Sequence, residues 1–542
     1  MCESELEGNV GELKINAIIG FDGSTINGFV VHPNGKHVVY PIGNKVAIQE
    51  WSTKKQNFLV GHTNIISSIA VSRSGKYIAS GQINHIGFKA RVIIWDFEKL
   101  RLLSQYEHHK VRVEAVIFSH DDHYVITLGG RDCGSAVVWD MQKGQVLCGS
   151  QVSRGVQGEA TVMQSMNRRG VCFITAGENH LAIWKINKDA RNAKSVDVAM
   201  VKLRRTILCM DTNERDEYTY CGTTTGDILK VRLNYHHDAD VLDPIKQPTI
   251  VGCFARLTKK KLPRGSVDLY EAGVRSIKLL FNGWLIVGAG DGTVEMVEET
   301  DGKVINAGVK MPSIPALKIH KTAFVNGGVT SLQLQGEHTI LAATVNSEIY
   351  RINMDSFLAE LIITCHTSAI YTIAFPHNFS EVFATGGKHD VRIWNVSTMQ
   401  ELLRIRVQNF NCSSIVFAHD GKSILTGWSD GVIRSFTPLT GRLAYAILNA
   451  HNKGVSALAT TSHGRNIVSG GCEGQVRLWE VSPYRQQLMC TLKEHKGPVS
   501  AIDINLFDNE AATASTDGTC IVGTWRNSVV DKYFLQTLCL CA

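Results

Sequence analysis

The chain has 542 residues, of which 44 % are hydrophobic and 20 % charged, with a net charge of +6. That balance fits a folded globular chain and gives no case for nucleic-acid binding. No run approaches the about 20 apolar residues of a membrane span, and residues 1–16 are acidic and lack the apolar core of a secretory signal. The chain is therefore expected to be intracellular, with its 14 singly scattered cysteines reduced.

In chain order, residues 12–19 alternate apolar and polar and predict one isolated strand. From about Asn27 onward, short alternating runs are broken by Gly-containing turns, the pattern of short antiparallel strands. A Trp recurs at the end of these groups. Trp51, Trp95, Trp139 and Trp184 are separated by 44, 44 and 45 residues. Gly61-His62 opens the group that closes at Trp95-Asp96, and His109 opens the one that closes at Trp139-Asp140.

Three groups without a closing Trp follow. They keep the hairpins Thr225–Leu229, Gly290–Val294 and Asn346–Tyr350, and a long insertion separates the fifth from the sixth. Residues 358–365 predict a second isolated strand. His366 then opens a group closing at Trp394-Asn395, the next ends at Phe436, and His451 opens one closing at Trp479-Glu480. An eleventh begins at Glu494-His495 and keeps Ser515–Val522, but Gly523 stands where a Trp is expected. From Thr524 to Ala542 nothing follows the repeat pattern.

A His near the start and a Trp near the end, repeated every 40–45 residues or so, resembles the WD40 repeat, one four-stranded blade of a β-propeller. The expected fold is all-β, with two WD40 propellers in tandem. Residues 1–11 form an N-terminal tail, and residues 12–355 a complete first propeller of seven repeats. Residues 356–523 form a partial second propeller of four repeats, and residues 524–542 a non-repeat tail. Residues 12–19 and 358–365 are each expected to close a ring by pairing with its last blade. Four repeats at seven-blade curvature cannot close. The expectation is a truncated or alternatively spliced form of a longer protein, with a foreign tail from about Gly523.

The WD40 resemblance also assigns a structural hydrogen-bond network. Its members are expected to be His62, Trp95, Asp96, His109, Trp139, Asp140, His366, Asp390, Trp394, His451, Ser469, Glu473, Trp479 and Asp517. In the ninth repeat Asp430-Gly431 supplies the turn, but Phe436 has no indole N–H to donate. Half-buried polar groups of this kind must be paired, so a structural role outweighs a catalytic or metal-binding one. The Gly288–Gly292 run lies between strands rather than before a helix, which argues against a dinucleotide loop. His108-His109 and His236-His237 lack partners at metal-site spacing. The basic runs Lys259–Arg264 and Lys202–Arg205 read as a solvated loop and a strand face. No catalytic residue, metal or cofactor is expected, and the chain reads as a non-enzyme.

Several stretches, some within the repeats and some outside them, carry more specific wording: Ala17–Phe21, Tyr40–Gly43, Lys55–Leu59 with Gly61-His62, Tyr77–Gln82, Gly87–Ala90 before Ile93–Asp96, Gly471–Gly474 and Ala514–Cys520. Together they resemble the cilia- and flagella-associated WD-repeat protein 52 family over residues 12–522. The resemblance implies a structural microtubule inner protein of axonemal doublets in cilia and flagella, bound to tubulin and neighbouring inner proteins. No nucleic-acid, membrane or small-molecule partner is implied. The alternative is a soluble WD40 adaptor that recruits other proteins.

Overall fold

The structure, a computed structural model, describes residues 14–152, 158–200, 203–235, 241–257, 267–300, 315–482, 484–526 and 529–533. The basic run Lys259–Arg264, the pair His236-His237 and residues 534–542 lie outside the described residues. The chain divides into two compact units, Met1–Cys365 and His366–Ala542.

Among the described residues, the first unit consists of seven four-stranded antiparallel blades. The first strands of the blades are Val30–Val31, Ile66–Val71, Val113–Phe118, Ala160–Ser165, Ile207–Thr212, Val274–Leu279 and Val329–Gln335. Each of these touches the next, and the last touches the first. Both faces of a blade are packed against neighbours, so the middle strands are mostly buried. Every residue of Tyr124–Gly129 and of Cys172–Gly177 is buried. Outer strands such as Arg101–Lys110 face solvent for most of their length.

An apolar cluster fills each gap between blades. Val39 and Ile48 of blade 1 meet Ile66, Ile78 and Trp95 of blade 2. Tyr124 and Val138 of blade 3 meet Phe173 and Trp184 of blade 4. The ring closes by the same means, because Leu341, Ala343 and Ile349 of blade 7 pack on Phe21, Phe29 and Tyr40 at blade 1. Asn27 N–H donates to Thr330 O at 3.0 Å across that seam, and Phe29 N–H to Ser331 Oγ at 3.3 Å.

Closure differs from the expectation. Residues 14–19 form no strand. Gln56 clamps them instead, accepting from Ile18 N–H at 2.8 Å and donating to Ile18 O at 3.1 Å. The outer strand of blade 7 is Ala359–Ile363, paired with Ile349–Asn353 through Ile349↔Ile363. A strand joined by a short turn closes a far smaller loop than one some 330 residues away, so it wins the edge at lower entropic cost. Residues 358–365 therefore belong to the first unit, and the boundary falls at 365/366 rather than 355/356.

One further join was not foreseen. The outer strands of blades 5 and 6, Thr249–Leu257 and Ala316–Phe324, pair in parallel through Ala255↔Ala316 to Leu257↔Lys318. Two blades thereby become one eight-stranded sheet.

The second unit contains four blades among the described residues. Strand Val382–Asn395 folds back at His389 (φ 72°) and supplies two strands of its blade, while Glu401–Phe417 runs from that blade into the next. Ile370, Ile373 and Phe375 on its first strand and nearby are more than half exposed. The fourth blade ends in Cys520–Arg526 paired with Val529–Tyr533. Residues 524–526 and 529–533 are thus part of a blade, not of a tail.

A recurrent Asp ties neighbouring blades at one end. Asp122, Asp216 and Asp508 occupy the left-handed position of the first turn of their blades, at φ 57°, 56° and 56°. Each carboxylate accepts from the corresponding turn of the preceding blade. Asp122 accepts from Arg73 and Ser74 N–H at 3.0 and 3.1 Å, and Asp216 from Asn167 and Arg168 N–H at 2.7 and 2.9 Å. Asp508 accepts from Ser462 N–H at 2.9 Å. Asp216 also pairs with Arg169 at 3.3 Å, both fully buried. Asp216→Ala should therefore cost the first unit about 3 kcal/mol, whereas Asp122→Ala, on an exposed turn, should cost about 1 kcal/mol. Urea unfolding followed by Trp fluorescence measures both, and equal losses would contradict the account.

Candidate functional site

The polar centre of a blade is a hydroxyl on its second strand. In blade 2, Ser80 Oγ accepts from Trp95 Nε1 at 2.8 Å and lies 2.7 Å from His62 Nε2. Gln82 Oε1 holds His62 Nδ1 at 2.9 Å. In blade 3, Thr127 Oγ1 accepts from Trp139 Nε1 at 3.0 Å and lies 2.7 Å from His109 Nε2. Cys133 Sγ, 3.4 Å from His109 Nδ1, takes the fourth place.

The second unit repeats the arrangement. Thr385 Oγ1 is 2.7 Å from both His366 Nε2 and Trp394 Nε1, and Asp390 holds His366 Nδ1 at 2.8 Å. Ser469 Oγ is 2.8 Å from both His451 Nε2 and Trp479 Nε1, and Glu473 holds His451 Nδ1 at 2.7 Å. In the last blade His495 contacts Thr513 Oγ1 at 2.9 Å and Thr519 Oγ1 at 2.8 Å. Asp517 lies 3.7 Å from that imidazole and accepts from Lys496 N–H at 2.6 Å.

Two of the residues expected in this network lie elsewhere. Asp96 Oδ1 accepts from Lys99 N–H at 2.9 Å, and Asp140 Oδ1 from Gln142 and Lys143 N–H at 3.0 Å. Both cap the turn after the third strand, as Asn395 does for Ser397 and Thr398. A short side chain there satisfies turn amides that the ladder leaves open.

Other residues enter the network from positions the sequence pattern did not mark. In blade 4, His180 sits on the third strand, its Nε2 2.8 Å from Thr175 Oγ1, while Trp184 Nε1 donates to that hydroxyl at 2.8 Å. In the second unit's second blade, Trp428 on the second strand donates to Thr426 Oγ1 at 2.7 Å. It supplies the indole that Phe436 lacks. Thr426 and Trp428, two apart on one strand, were the available signal. In blade 5 Arg205 donates to buried Asp227 at 2.9 Å, and Thr223 also bonds it. Arg205 lies in the connection before Ile207–Thr212, not on the strand face expected for the 202–205 run, and Lys202 is outside the described residues. Blade 6 is built on buried Glu295, which accepts from Arg256 at 2.6 Å and Tyr270 Oη at 2.9 Å.

In the last blade Thr513 pairs with Ile521, as Ser469 pairs with Arg477. Gly523 therefore occupies the position equivalent to Trp479. A small apolar cavity lined by Val468, Leu478, Leu492 and Trp525 lies beside it.

Burial sets the charge states. Desolvation pushes His62 and His109 down to about 4, so both imidazoles are neutral. Burial alone would raise Asp390, but bonds from His366 and Arg392 outweigh it and hold the carboxyl low. The Thr519 hydroxyl and backbone amides hold Asp517 well below the usual carboxylate range. The hydroxyls that could act as nucleophiles are buried at Ser80, Thr127, Thr175, Thr385 and Ser469. Each already bonds an indole and an imidazole. Among the described residues no group of three or more His, Cys, Asp or Glu is placed to hold a metal. What the arrangement does is cross-link the strands of a blade.

The neutral imidazoles carry a sign for pH. The unfolded chain takes up protons near pH 6.5, whereas the folded His62 and His109 resist down to about 4. Their contribution to stability is present above pH 6.5 and is lost as pH falls towards 4, at up to about 1.4 kcal/mol per pH unit for each. His109→Gln should lower the melting temperature at pH 7.5 yet flatten its decline between pH 6.5 and 4.5. Parallel melting curves for variant and parent across that range would contradict this.

Comparison with known proteins follows the same lines. The family model described as "WD domain, G-beta repeat" matches residues 53–96, 359–395, 444–480 and 486–522. The chain is 41 % identical over 517 residues to human "Cilia- and flagella-associated protein 52", covering 95 % of this chain and 77 % of that one. It is 36 % identical over 515 residues to the Chlamydomonas reinhardtii protein of the same description, covering 94 % and 77 %. Mouse "WD repeat-containing protein 90" is 22 % identical over 508 residues, covering 90 % of this chain and 25 % of that one.

Proposed function

Because the chain belongs to the cilia- and flagella-associated protein 52 family, we propose that it is a non-catalytic scaffold of the axoneme in cilia and flagella. In this reading it is a microtubule inner protein, held in the lumen of doublet microtubules by tubulin and neighbouring inner proteins. There it supports doublet stability and motility. The observation that carries the reading is identity of 36–41 % spread over about 95 % of the chain, to relatives named for cilia and flagella in human and alga. A propeller suits the task because its blades form a stiff core while turns at both ends and the outer strands remain free for contact. The polar groups at the blade centres support it too, since they are spent on holding strands together.

The second reading is a soluble adaptor. Sequential extraction of cilia separates the two. Detergent, then high salt, then a doublet-disrupting detergent should release the chain only in the last step. Release with the soluble matrix would favour the adaptor.

A further inference from the structure

Blade 2 carries a raised tip at the end of the ring where its second and third strands meet. Its outer strand Arg101–Lys110 is the longest of the first unit among the described residues, at 10 residues. The connection from Tyr77–Gln82 to Lys89–Asp96 spans residues 83–88, against the two-residue Gly43-Asn44 turn of blade 1. At its crest Ile86 is 89 % exposed and Phe88 63 %, with Ile65 at its foot 55 % exposed.

The tip is held rigidly. Asn84 Nδ2 donates to Lys89 O at 2.8 Å, and Asn84 Oδ1 accepts from Asn64 Nδ2 at 2.8 Å and from His85 N–H at 2.9 Å. Phe88 N–H closes the turn on His85 O at 3.1 Å, around Gly87 at φ 92°. Val111 braces it from the neighbouring connection, donating to Phe88 O at 2.9 Å and accepting from Asn84 N–H.

Two features of the tip cost stability. Val111 is β-branched yet sits at φ 59°, inside a three-residue turn closed by Arg112 N–H on Lys110 O at 2.6 Å. That backbone is strained for valine, and such strain is characteristic of sites of function. Lys89 and Lys110 are also direct cross-strand partners, so like charges face each other. Nearby carboxylates, on the outer strand of blade 2 and the first strand of blade 3, are engaged elsewhere. Glu107 pairs with Arg91 at 2.8 Å, and Glu114 with Arg112 at 2.7 Å.

We infer that this tip is a docking prong. Ile86 and Phe88 enter an apolar recess on a protein partner, and carboxylates rimming that recess neutralise Lys89 and Lys110. Rigid apolar anchors beside complementary charge are how small contacts gain affinity. The inference rests on the scaffold reading and names the contact surface and partner chemistry within it.

The test places a photo-crosslinker in the full chain, Ile86→p-benzoylphenylalanine, expressed in ciliated cells. Irradiation should give an adduct to a partner peptide that combines large apolar residues with Asp or Glu. The double variant Lys89→Glu/Lys110→Glu should reduce that adduct at least tenfold with an unchanged melting temperature. The same crosslinker at Leu439, 95 % exposed in the second unit, should not yield it. No light-dependent adduct, an adduct indifferent to the lysine reversal, or an adduct to lipid or nucleic acid overturns the prong. An adduct confined to the soluble fraction keeps the prong and removes the scaffold reading. A chain that stays on doublets without the adduct does the reverse.

Discussion

A four-stranded blade has two apolar faces and no means of covering either by itself. Everything else in the first unit follows from that constraint. The faces of blades 3 and 4 meet through Tyr124, Val138, Phe173 and Trp184, and each successive gap is filled in the same way. The seventh gap is filled from both ends of the sequence, by Phe21, Phe29 and Tyr40 against Leu341, Ala343 and Ile349. Packing at about 25 cal/mol per Å2 of buried apolar surface dominates, and the seam hydrogen bonds set its register. The bare Ile370, Ile373 and Phe375 of the second unit show the same face without such a cover.

Within each blade the polar centre solves a different problem. The first three strands are tied together where the sheet is buried on both sides and water cannot reach. A hydroxyl is the smallest group that can accept from an indole and engage an imidazole at once, as Ser80, Thr127 and Ser469 do. The residue behind the imidazole varies freely, from Gln82 to Cys133 to Asp390 to Glu473. Its task is to fix a tautomer, which an amide, a thiol or a carboxylate can each do.

The ring was legible because His and Trp recur at blade spacing and because Gly turns break the alternating runs. Several details were not. Trp428 and His180 approach their hydroxyls from strands the repeat pattern does not mark, since only the distance to the hydroxyl matters. Asp96 and Asp140 follow the closing Trp in sequence but point to the next turn. The outer strands Ala359–Ile363 and Val529–Tyr533 were displaced or missed because an edge strand needs little beyond a nearby partner. The parallel join of blades 5 and 6 uses Thr249–Leu257, which lies in the insertion between the fifth and sixth groups.

On the proposed function, this fold is a piece of the axonemal wall rather than a freely diffusing adaptor. Cryo-electron microscopy of doublet microtubules from cells expressing the tagged chain tests it most directly. The expected result is a seven-bladed ring resolved on the luminal side of the doublet wall, in contact with tubulin. Doublets whose luminal wall carries no such density, from cells whose cilia contain the chain, would contradict it.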